Sequence, residues 1–365
     1  MRVLVLSNQP NDSGSRERLR AIAGLETEIY LGTPGGTAGA DGPIRLIPIP
    51  VKGDPKSPDR LRWNTTAVRR LLTDTRPALV HCEADADTPL AATVSALCRK
   101  LKIPYIIFST QSVARRLGFL DRRRARRVLE HAAGVQGGTR LAMDRLHDQA
   151  PEALATALPR AGVALPPPQT RPEREALSIG FAGRLTAERG ADILVSALGH
   201  TFGRWRLVVA GTGPEQEALE RSIQTLGLAA RVRWLGGIRP EVIDTLWQEI
   251  DCLVVPSRDT PTWVEGHSAL LLEAMGRGIA AVVTNAGALP EQVGPAGAVV
   301  AGAEAMTEVL QKWVADPAAC RAAGIRARQW VLERYVTSVV AGRTVEFWSA
   351  VLTEARSGPS PSPNA

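Results

Sequence analysis

Residues 254–291 read VVPSRDTPTWVEGHSALLLEAMGRGIAAVVTNAGALPE, and this stretch predicts the central structural unit in the second half of the chain. An apolar strand is predicted at 253–255, a helix is predicted from near Ala269, and a second apolar strand is predicted at 279–283. Strand, helix and strand in this order predict a βαβ unit, whose parallel strands place the loops that follow them at one edge of the sheet.

Two glutamates lie in this unit, one on each side of the predicted helix start. Glu265 precedes the helix, where it would lie near the group that carries a bound anion. Glu273 lies one turn into the helix, where its carboxylate could accept two neighbouring hydroxyls, as a ribose offers. An ordinary ion pair with Arg277, four residues later, explains Glu273 as well. Ser268 can cap the helix, which leaves backbone N–H groups and the positive end of the helix dipole to bind an anion. The residues predicted at this anion site are Ser268, Ala269 and Leu270.

These features resemble the nucleotide-sugar site of the retaining family 4 glycosyltransferases. The resemblance rests on the spacing Glu265-x7-Glu273, on Pro256-Ser257 and Thr262-Trp263 before it, on Ala274-Met275 after it, and on Gly287-x-x-Pro290-Glu291. It covers roughly the whole chain and is strongest over residues 179–291. It implies the GT-B fold, an α/β architecture of two Rossmann-like doubly wound domains facing a central cleft.

The resemblance also implies an activity and a substrate. The chain would be a hexosyl- or glycosyltransferase that moves a sugar from a nucleoside diphosphate sugar to an unidentified acceptor, with retention of the anomeric configuration. It would need no cofactor, and it would act in glycan, glycolipid or glycosylated metabolite biosynthesis. No Asp-x-Asp motif and no His/Asp/Glu cluster occurs at the predicted donor site, so we expect no metal there. Glu83, Asp85 and Asp87 alternate in the first half, but nothing in the sequence ties them to the diphosphate.

Roles for further residues follow from the same resemblance. Arg184 and Arg189 would hold the diphosphate, with Arg189 at a position where the family generally has Lys. Gly183 opens a loop that lets the backbone approach a ligand, and Gly213 belongs to a second glycine loop. Solvated arginines and ordinary tight turns are the alternative explanations. Contacts to the nucleotide base are assigned to Ile238 and Arg239.

At two places the sequence departs from the family pattern at residues that could take part in binding or catalysis. Gln111 follows a predicted strand at a position where many members have His, and because an amide cannot carry a proton it can act only by hydrogen bonding to the donor. A loop amide that satisfies backbone groups is the alternative. The pair His267-Ser268 stands where the family generally has Phe-Gly, and a lone His beside a ligand site more often packs than catalyses. A catalytically silent nucleotide-sugar-binding protein with the GT-B fold is therefore the second hypothesis.

Composition limits the class of protein. The chain has 365 residues, enough for about two domains. Its net charge of +7 favours contact with something anionic. Aromatic content of only 4%, without a recognisable binding module, argues against nucleic acid as the partner. The four cysteines are scattered, which fits a reducing compartment.

The apolar run at 3–6 is too short for a signal peptide, and no later run could span a membrane. We therefore expect a cytoplasmic protein.

Short apolar runs alternate with helical patterns along both halves, which predicts two parallel doubly wound sheets. Strands are predicted at 3–6, 28–31, 44–48, 78–82, 105–108, 177–181, 207–210, 232–235, 252–255 and 281–283. Loops are expected at 34–42 and 52–59, a linker at the prolines 166–168, and helical structure after Val293. The predicted domains are an acceptor-binding domain at 1–168, a nucleotide-sugar-binding domain at 169–335, a helix at 336–354 that packs on the first domain, and a disordered tail at 355–365.

An arginine-rich stretch at 122–127, preceded by Arg115, Arg116 and Phe119, predicts a strongly basic helix. Leu117, Leu120, Val128 and Leu129 are expected on its apolar face. The usual explanation is a solvated helix face. The functional alternative is peripheral docking on anionic lipid, at the inner face of the membrane, or on a phosphorylated acceptor.

Overall fold

The structure is a computed structural model that describes residues 1–8, 16–113, 117–166 and 174–357. The chain forms two compact units. Unit 1 contains the chain up to Gly162 together with the segment from Thr337 onward, and unit 2 contains Val163–Val336. The division comes slightly before the predicted boundary at residue 168, and most of the predicted proline linker lies outside the described residues.

Unit 1 is built on an eight-stranded sheet with the strand order β10-β9-β8-β7-β1-β2-β4-β3. The strands of this unit are β1 (Arg2–Ser7), β2 (Glu28–Pro34), β3 (Gly39–Asp41), β4 (Ile44–Ile49), β5 (Val51–Lys52), β6 (Arg62–Trp63), β7 (Leu79–Glu83), β8 (Tyr105–Ser109), β9 (Gly134–Gly137) and β10 (Leu154–Ala157). Strands β5 and β6 form a separate antiparallel pair. The large sheet is parallel except where β3 pairs with β4. The strand order reverses between β1 and β7.

Helices connect these parallel strands, as the alternating pattern predicts. They are α1 (Glu17–Ala23), α2 (Thr65–Thr75), α3 (Pro89–Leu101), α4 (Phe119–Leu129) and α5 (Arg140–His147). Three of them begin at a side-chain cap. Asn64, Thr88 and Thr139 each accept a hydrogen bond from the backbone N–H three residues later.

Unit 2 contains a six-stranded, fully parallel sheet with the order β13-β12-β11-β14-β15-β16. Its strands are β11 (Leu177–Ala182), β12 (Trp205–Ala210), β13 (Val232–Gly236), β14 (Cys252–Val255), β15 (Ala280–Thr284) and β16 (Ala298–Val300). Its helices are α6 (Ala191–Gly199), α7 (Gln216–Thr225), α8 (Pro240–Glu249), α9 (Ala269–Gly276), α10 (Leu289–Val293), α11 (Ala303–Ala315) and α12 (Pro317–Arg334). The order reverses between β11 and β14, and sheets of this kind bind ligands beyond the carboxyl ends of the strands at such a point.

The last helix, α13 (Thr337–Ser357), belongs to unit 1. Its Trp348 and Val351 are fully buried in one apolar cluster with Val3 and Ile106. The indole Nε1 of Trp348 donates a hydrogen bond to Nδ1 of His81, at 2.9 Å. The C-terminal helix therefore completes the core of the unit in which the chain begins.

Each predicted strand is present, but three expectations about the connecting segments are wrong. The predicted loop at 34–42 contains β3, a short exposed strand whose Gly and Asp residues give no strand signal. The region after Val293 is not helical throughout, because β16 adds the edge strand of the second sheet. Residues 355–357 of the predicted tail are helical, and 358–365 lie outside the described residues.

Candidate functional site

The predicted site residues of unit 2 gather on loops that follow β11, β12 and β14. Gly183 and Arg184 follow β11, Gly213 lies in the loop after β12, and Glu265 lies in the loop after β14. Strands β11 and β14 flank the reversal of strand order, so the two loops that carry Arg184 and Glu265 come from neighbouring strands. The site therefore forms where a doubly wound sheet most often binds its ligand.

The two glycine loops pack against each other. A Cβ on Gly211 would lie 1.9 Å from the carbonyl oxygen of Gly183, and a Cβ on Gly213 would lie 2.3 Å from that of Leu185. A Cβ on Gly183 would meet no atom closer than 3.4 Å. Gly211 and Gly213 are thus required by the packing of loop on loop, whereas a Cβ on the buried Gly183 would make only ordinary van der Waals contact, with the Phe181 ring.

Glu265 is the centre of a buried polar cluster. Its side chain is only 6% exposed, and its Oε2 accepts hydrogen bonds from Arg189 Nη1 at 2.6 Å and from Ser257 Oγ at 2.7 Å. The Arg189 guanidinium also stacks over the Trp263 ring, 5.0 Å from its centroid. Within the described part of the chain, Glu265 Oε1 accepts no hydrogen bond. One carboxylate oxygen therefore orients Arg189, and the other remains an acceptor.

Two glycines in the left-handed region hold this cluster in place. Gly190 has φ +66°, and a Cβ there would lie 1.9 Å from the carbonyl oxygen of Pro256. Gly287 has φ +47°, and a Cβ there would lie 2.0 Å from the carbonyl oxygen of Glu265, which accepts a hydrogen bond from the N–H of Ala288 at 2.9 Å. Any larger residue at either glycine would push apart the loops that carry Arg189 and Glu265.

Arg184 differs from Arg189 in its surroundings. It is exposed, and its guanidinium makes no hydrogen bond or ion pair with any described residue. The loop between β11 and α6 therefore carries one guanidinium that Glu265 holds in place, that of Arg189, and one that no described side chain holds, that of Arg184. Guanidinium groups of this kind can bind an anionic ligand.

The start of α9 corrects the predicted role of Ser268. Ser268 occupies the N-cap position, but its side chain makes no capping hydrogen bond. The buried side chain of Gln292 bonds there instead. Its Oε1 accepts from the Ser268 N–H at 2.9 Å, and its Nε2 lies 3.3 Å from His267 Nδ1. Gln292 is a residue of the candidate site that the sequence motifs did not indicate, although it follows directly after the quoted Pro290-Glu291.

His267 is a neutral packing residue at neutral pH. Burial lowers the pKa of its imidazole to about 4.

Ala269 and Leu270 form the first turn of α9, whose N–H groups have no partner within the helix.

Glu273 makes the ion pair that the alternative explanation predicted. Its Oε1 accepts from Arg277 Nη2 at 2.8 Å and from Trp247 Nε1 at 3.0 Å. Among the described residues, Glu273 Oε2 accepts no hydrogen bond, and the side chain is partly exposed. Glu273 is therefore held in one orientation while its Oε2 stays available to accept a hydrogen bond.

Ile238 and Arg239, the predicted base contacts, are both exposed just before α8.

Gln111 lies in unit 1, at the end of β8. Its Nε2 donates to Asp85 Oδ2 at 2.6 Å, and its backbone N–H donates to Ser109 Oγ at 3.0 Å.

No group of three or more His, Cys, Asp or Glu residues that could hold a metal ion occurs among the residues that the structure describes. In the same residues, no helix is long and apolar enough to cross a bilayer.

Comparison with known protein families matches both halves of the chain. Residues 16–161 match the glycosyl transferase 4-like domain, and residues 167–330 match the glycosyl transferases group 1. Together the two matches span most of the chain.

Curated relatives match over part of their length. The chain is 31% identical over 175 residues to a GDP-mannose-dependent alpha-(1-6)-phosphatidylinositol monomannoside mannosyltransferase of Mycolicibacterium smegmatis, which covers 46% of each protein. It is 26% identical to the 2-deoxystreptamine glucosyltransferase of Streptomyces kanamyceticus, over 63% of this chain and 61% of that enzyme. The chain thus spans about half the length of the mannosyltransferase that it matches.

Solved structures match almost end to end. HepE of Anabaena in complex with UDP superposes with a TM-score of 0.69 at 15% identity, covering 96% of this chain and 100% of HepE. The lipopolysaccharide outer core galactosyltransferase WaaB gives a TM-score of 0.68 at 16% identity, covering 96% of this chain and 99% of WaaB. At these identities the likeness shows a shared fold.

Proposed function

Because this chain belongs to the group 1 glycosyltransferases with the GT-B fold, we propose that it transfers a sugar from a nucleoside diphosphate sugar to an acceptor hydroxyl, with retention at the anomeric carbon. The observation that carries the proposal is the Arg189–Glu265 pair at the strand-order reversal of unit 2, with Arg184 on the same loop as Arg189. Two cations and an available carboxylate oxygen fit a diphosphate that carries a polyhydroxylated sugar. HepE, a structural neighbour, was solved with UDP and with UDP-glucose.

In the proposed reaction, the acceptor oxygen forms a bond to the anomeric carbon while the bond from that carbon to the diphosphate oxygen breaks. The acceptor proton passes to an oxygen of the departing phosphate, so the products are a glycoside and a nucleoside diphosphate. Attack from the face that the phosphate leaves retains the configuration. The protein then contributes positioning and stabilisation of the charge that builds on the leaving group.

Each residue of the site has a role in this proposal. Arg184 and Arg189 neutralise the diphosphate, assisted by the N–H groups at the start of α9. Glu265 Oε1 accepts hydrogen bonds from hydroxyls of the donor sugar, while Oε2 keeps Arg189 oriented. Glu273 Oε2 accepts from the ribose hydroxyls. The exposed Ile238 and Arg239 contact the base.

We further propose that transfer needs no divalent metal, because fixed cations and a helix dipole supply the charge that a metal would supply. The test measures release of nucleoside diphosphate from UDP- and GDP-sugars in excess EDTA. Transfer activity should persist in EDTA. The substitution Arg184→Ala should lower turnover by about tenfold or more, because it removes one charge-assisted contact to the diphosphate. The matched control is Arg204→Ala, an exposed arginine whose carboxylate partner, Glu175, is also exposed. Loss of turnover in EDTA with recovery on adding magnesium or manganese would refute metal independence.

A catalytically silent nucleotide-sugar-binding protein is the second candidate. Two departures from the family pattern favour it, namely Gln111 where many members have His and the pair His267-Ser268 where the family generally has Phe-Gly. The same assay separates the two functions, because a silent protein binds nucleotide sugars without releasing nucleoside diphosphate or labelled sugar.

We also propose that unit 1 docks peripherally on anionic membranes, at the cytoplasmic face, through α4. Phe119 and Leu120 are 77% and 74% exposed at the start of this helix, beside its exposed arginines. Exposed apolar side chains next to basic ones are typical of helices that lie in a bilayer interface. Arg115 and Arg116, which extend the stretch in the sequence, lie outside the described residues.

A further inference from the structure

The buried side chain of Gln292 holds the start of α9 from outside that helix. Gln292 belongs to α10 and is only 2% exposed. Its Oε1 accepts a hydrogen bond from the Ser268 N–H at 2.9 Å, and its Nε2 donates to the carbonyl oxygen of the same residue at 3.3 Å. One side-chain amide therefore binds both backbone groups of the residue at the N-cap position of α9.

The backbone of Ser268 fixes which way this amide points. A backbone N–H can only donate and a backbone C=O can only accept, so the oxygen of the Gln292 amide must face the N–H and its nitrogen the C=O. The amide nitrogen also lies 3.3 Å from His267 Nδ1. Burial lowers the pKa of His267 to about 4, so at neutral pH this ring nitrogen can accept. Both N–H bonds of the amide therefore have an acceptor in the two residues directly before α9.

The same short helix also binds the segment that carries the candidate acid. The N–H of Ala288, directly before α10, donates to the carbonyl oxygen of Glu265 at 2.9 Å. The N–H of Gln292 in turn donates to the carbonyl oxygen of Ala288 at 3.0 Å, which closes one helical turn. Residues 265–268 are thus fastened at both ends to a single turn of helix. This turn sets the distance between Glu265 and the start of α9.

Helix α12 fixes the backbone of α10 independently of α9. The indole Nε1 of Trp330 donates to the carbonyl oxygen of Gln292 at 2.8 Å. The Trp330 ring also packs on Gly294, where a Cβ would lie 2.2 Å from the ring. Gln292 therefore projects from a rigid support.

The contact with Ser268 decides which backbone groups a ligand can use at α9. Because the Ser268 N–H is occupied, an anion is left with the N–H groups of the first turn, which begins at Ala269. The Ser268 side chain makes no capping hydrogen bond, and helix ends without support fray. Dipoles that are oriented before the ligand arrives stabilise its charge without a cost of reorganisation.

We propose that Gln292 is a positioning residue for the diphosphate of the donor. It orders the first turn of α9 relative to Glu265, so that the N–H groups of this turn and the acid can engage one donor molecule together. The inference rests on the proposed function, because that function assigns the diphosphate to the start of α9. The alternative is a buried amide that only satisfies backbone groups, which predicts lower stability without a selective loss of phosphate binding.

The first experiment titrates the whole protein with UDP and GDP and with the matching nucleosides, uridine and guanosine. Gln292→Met keeps the length of the side chain but removes the amide that binds Ser268. We expect the Kd of the diphosphate to rise by about tenfold or more, as for loss of a hydrogen bond to a charged group. The Kd of the nucleoside should stay within about twofold, because it has no phosphate. An unchanged or lower Kd for the diphosphate, or an equal rise for the nucleoside, would overturn the proposal.

The matched control is another glutamine of unit 2 that binds one backbone residue in the same way. Gln311 Oε1 accepts from the Phe202 N–H at 2.8 Å, and its Nε2 donates to the Phe202 carbonyl oxygen at 3.2 Å. Gln311→Met should leave the Kd of the diphosphate within about twofold. A loss equal to that in Gln292→Met would show that the effect is not local to α9, and would overturn the proposal.

A second variant keeps the inference testable should Gln292→Met not fold. Gln292→Glu has the same length and can still accept from the Ser268 N–H, but it cannot donate to the carbonyl oxygen and it places a negative charge near the anion. The Kd of the diphosphate should again rise by about tenfold or more at pH 7, and an unchanged value would contradict the assigned role.

The outcomes separate this inference from the function on which it rests. If the unsubstituted protein binds UDP or GDP and releases it from a nucleotide sugar, but both Gln292 variants bind it equally well, only the role of Gln292 is wrong. If the unsubstituted protein neither binds these nucleotides nor releases them, the proposed function fails, and the positioning role fails with it.

Discussion

Glu265 and Glu273 show how two acids of one motif acquire different surroundings. Glu265 is nearly fully buried, and one of its oxygens is taken up by Arg189 and Ser257. Glu273 is more exposed and is paired with Arg277 on its own helix. The first acid is therefore coupled to the predicted diphosphate cation, whereas the second is tied to the body of α9.

We predict that Glu273→Ala weakens binding of the bare nucleoside diphosphate by about tenfold or more, because a charged acceptor of ribose hydroxyls contributes about 1.5–3 kcal/mol. Glu265→Gln should leave that binding nearly intact and mainly lower turnover. Isothermal titration with the nucleotide and a donor-release assay measure the two effects. Asp244→Asn is the control for Glu273, since Asp244 lies 3.7 Å from the same Arg277. Equal loss of nucleotide affinity in both glutamate variants would contradict these roles.

The sequence predicted residue types at this site better than their hydrogen bonds. The start of α9 and the place of Glu273 one turn into it follow from the local helical pattern, whereas Glu265 is indicated by the family resemblance. The partner of the Ser268 N–H does not, because Gln292 approaches from 24 residues away through the tertiary fold. A side chain that caps at long range leaves no local signature.

At the scale of elements, α4 is the helix whose surface differs most from expectation. Leu120 was predicted on the apolar face with Val128 and Leu129, but it is exposed. Leu120 precedes the buried Ala125 by five residues, which places it well round the helix from the face that Ala125, Val128 and Leu129 bury. The start of α4 therefore presents apolar side chains outward, among arginines.

We predict that α4 binds anionic vesicles, with each basic residue near the surface contributing about 1 kcal/mol at low salt. Changing Arg122, Arg123, Arg126 and Arg127 to Gln should abolish sedimentation with phosphatidylserine vesicles. The control variant changes Arg69 and Arg70, two exposed arginines of α2, to Gln. Sedimentation that survives loss of the four α4 arginines would leave α4 as an ordinary solvated helix.

The strands that sequence reasoning missed are the short ones. Parallel strands buried on both faces read as apolar runs, which is why β14 and β15 are evident in the sequence. β9 has the sequence GVQG and β3 has GAD, and neither carries that pattern. Their place in the sheet depends on neighbours such as β8 and β4, so only the assembled fold specifies them.

At the scale of the whole molecule, the junction between His81 and Trp348 joins the two parts of unit 1. His81 is fully buried on β7, and its Nδ1 accepts the indole hydrogen bond of Trp348 on α13. Burial lowers the pKa of this imidazole to about 3. A neutral ring is required there, because only an unprotonated Nδ1 can accept the hydrogen bond.

We predict that the free energy of unfolding falls as the pH drops from about 7 to about 5, by up to ~1.4 kcal/mol per pH unit from His81 alone. The pKa of His81 is lower in the folded state than in the unfolded state, so the unfolded chain takes up a proton first and stability is lost between an unfolded pKa of about 6.5 and the folded value of about 3. His267, with a folded pKa of about 4, adds loss in the same direction. Urea unfolding across this pH range is the measurement, and a flat profile would contradict the prediction.

The hydrogen bond itself is tested at pH 7. Trp348→Phe keeps an aromatic ring in the core but leaves His81 Nδ1 without its donor, which should cost about 1–3 kcal/mol. Ser349→Ala, on the exposed side of the same helix, should change stability by less than about 0.5 kcal/mol. Equal stabilities for the two variants would show that the hydrogen bond between Trp348 and His81 does not stabilise unit 1.

The division of unit 1 between residues up to 162 and a helix after 336 also sets an order of events during synthesis on the ribosome. Unit 2 is one continuous segment and can collapse as soon as its own residues have emerged, whereas the apolar core of unit 1 is complete only after α13 has been translated. Until then the apolar face that Trp348 and Val351 cover stays open to water, and to chaperones that bind nascent apolar surface. Residues 1–162 are thus translated before unit 2, but the unit to which they belong completes its core only after unit 2 has been translated.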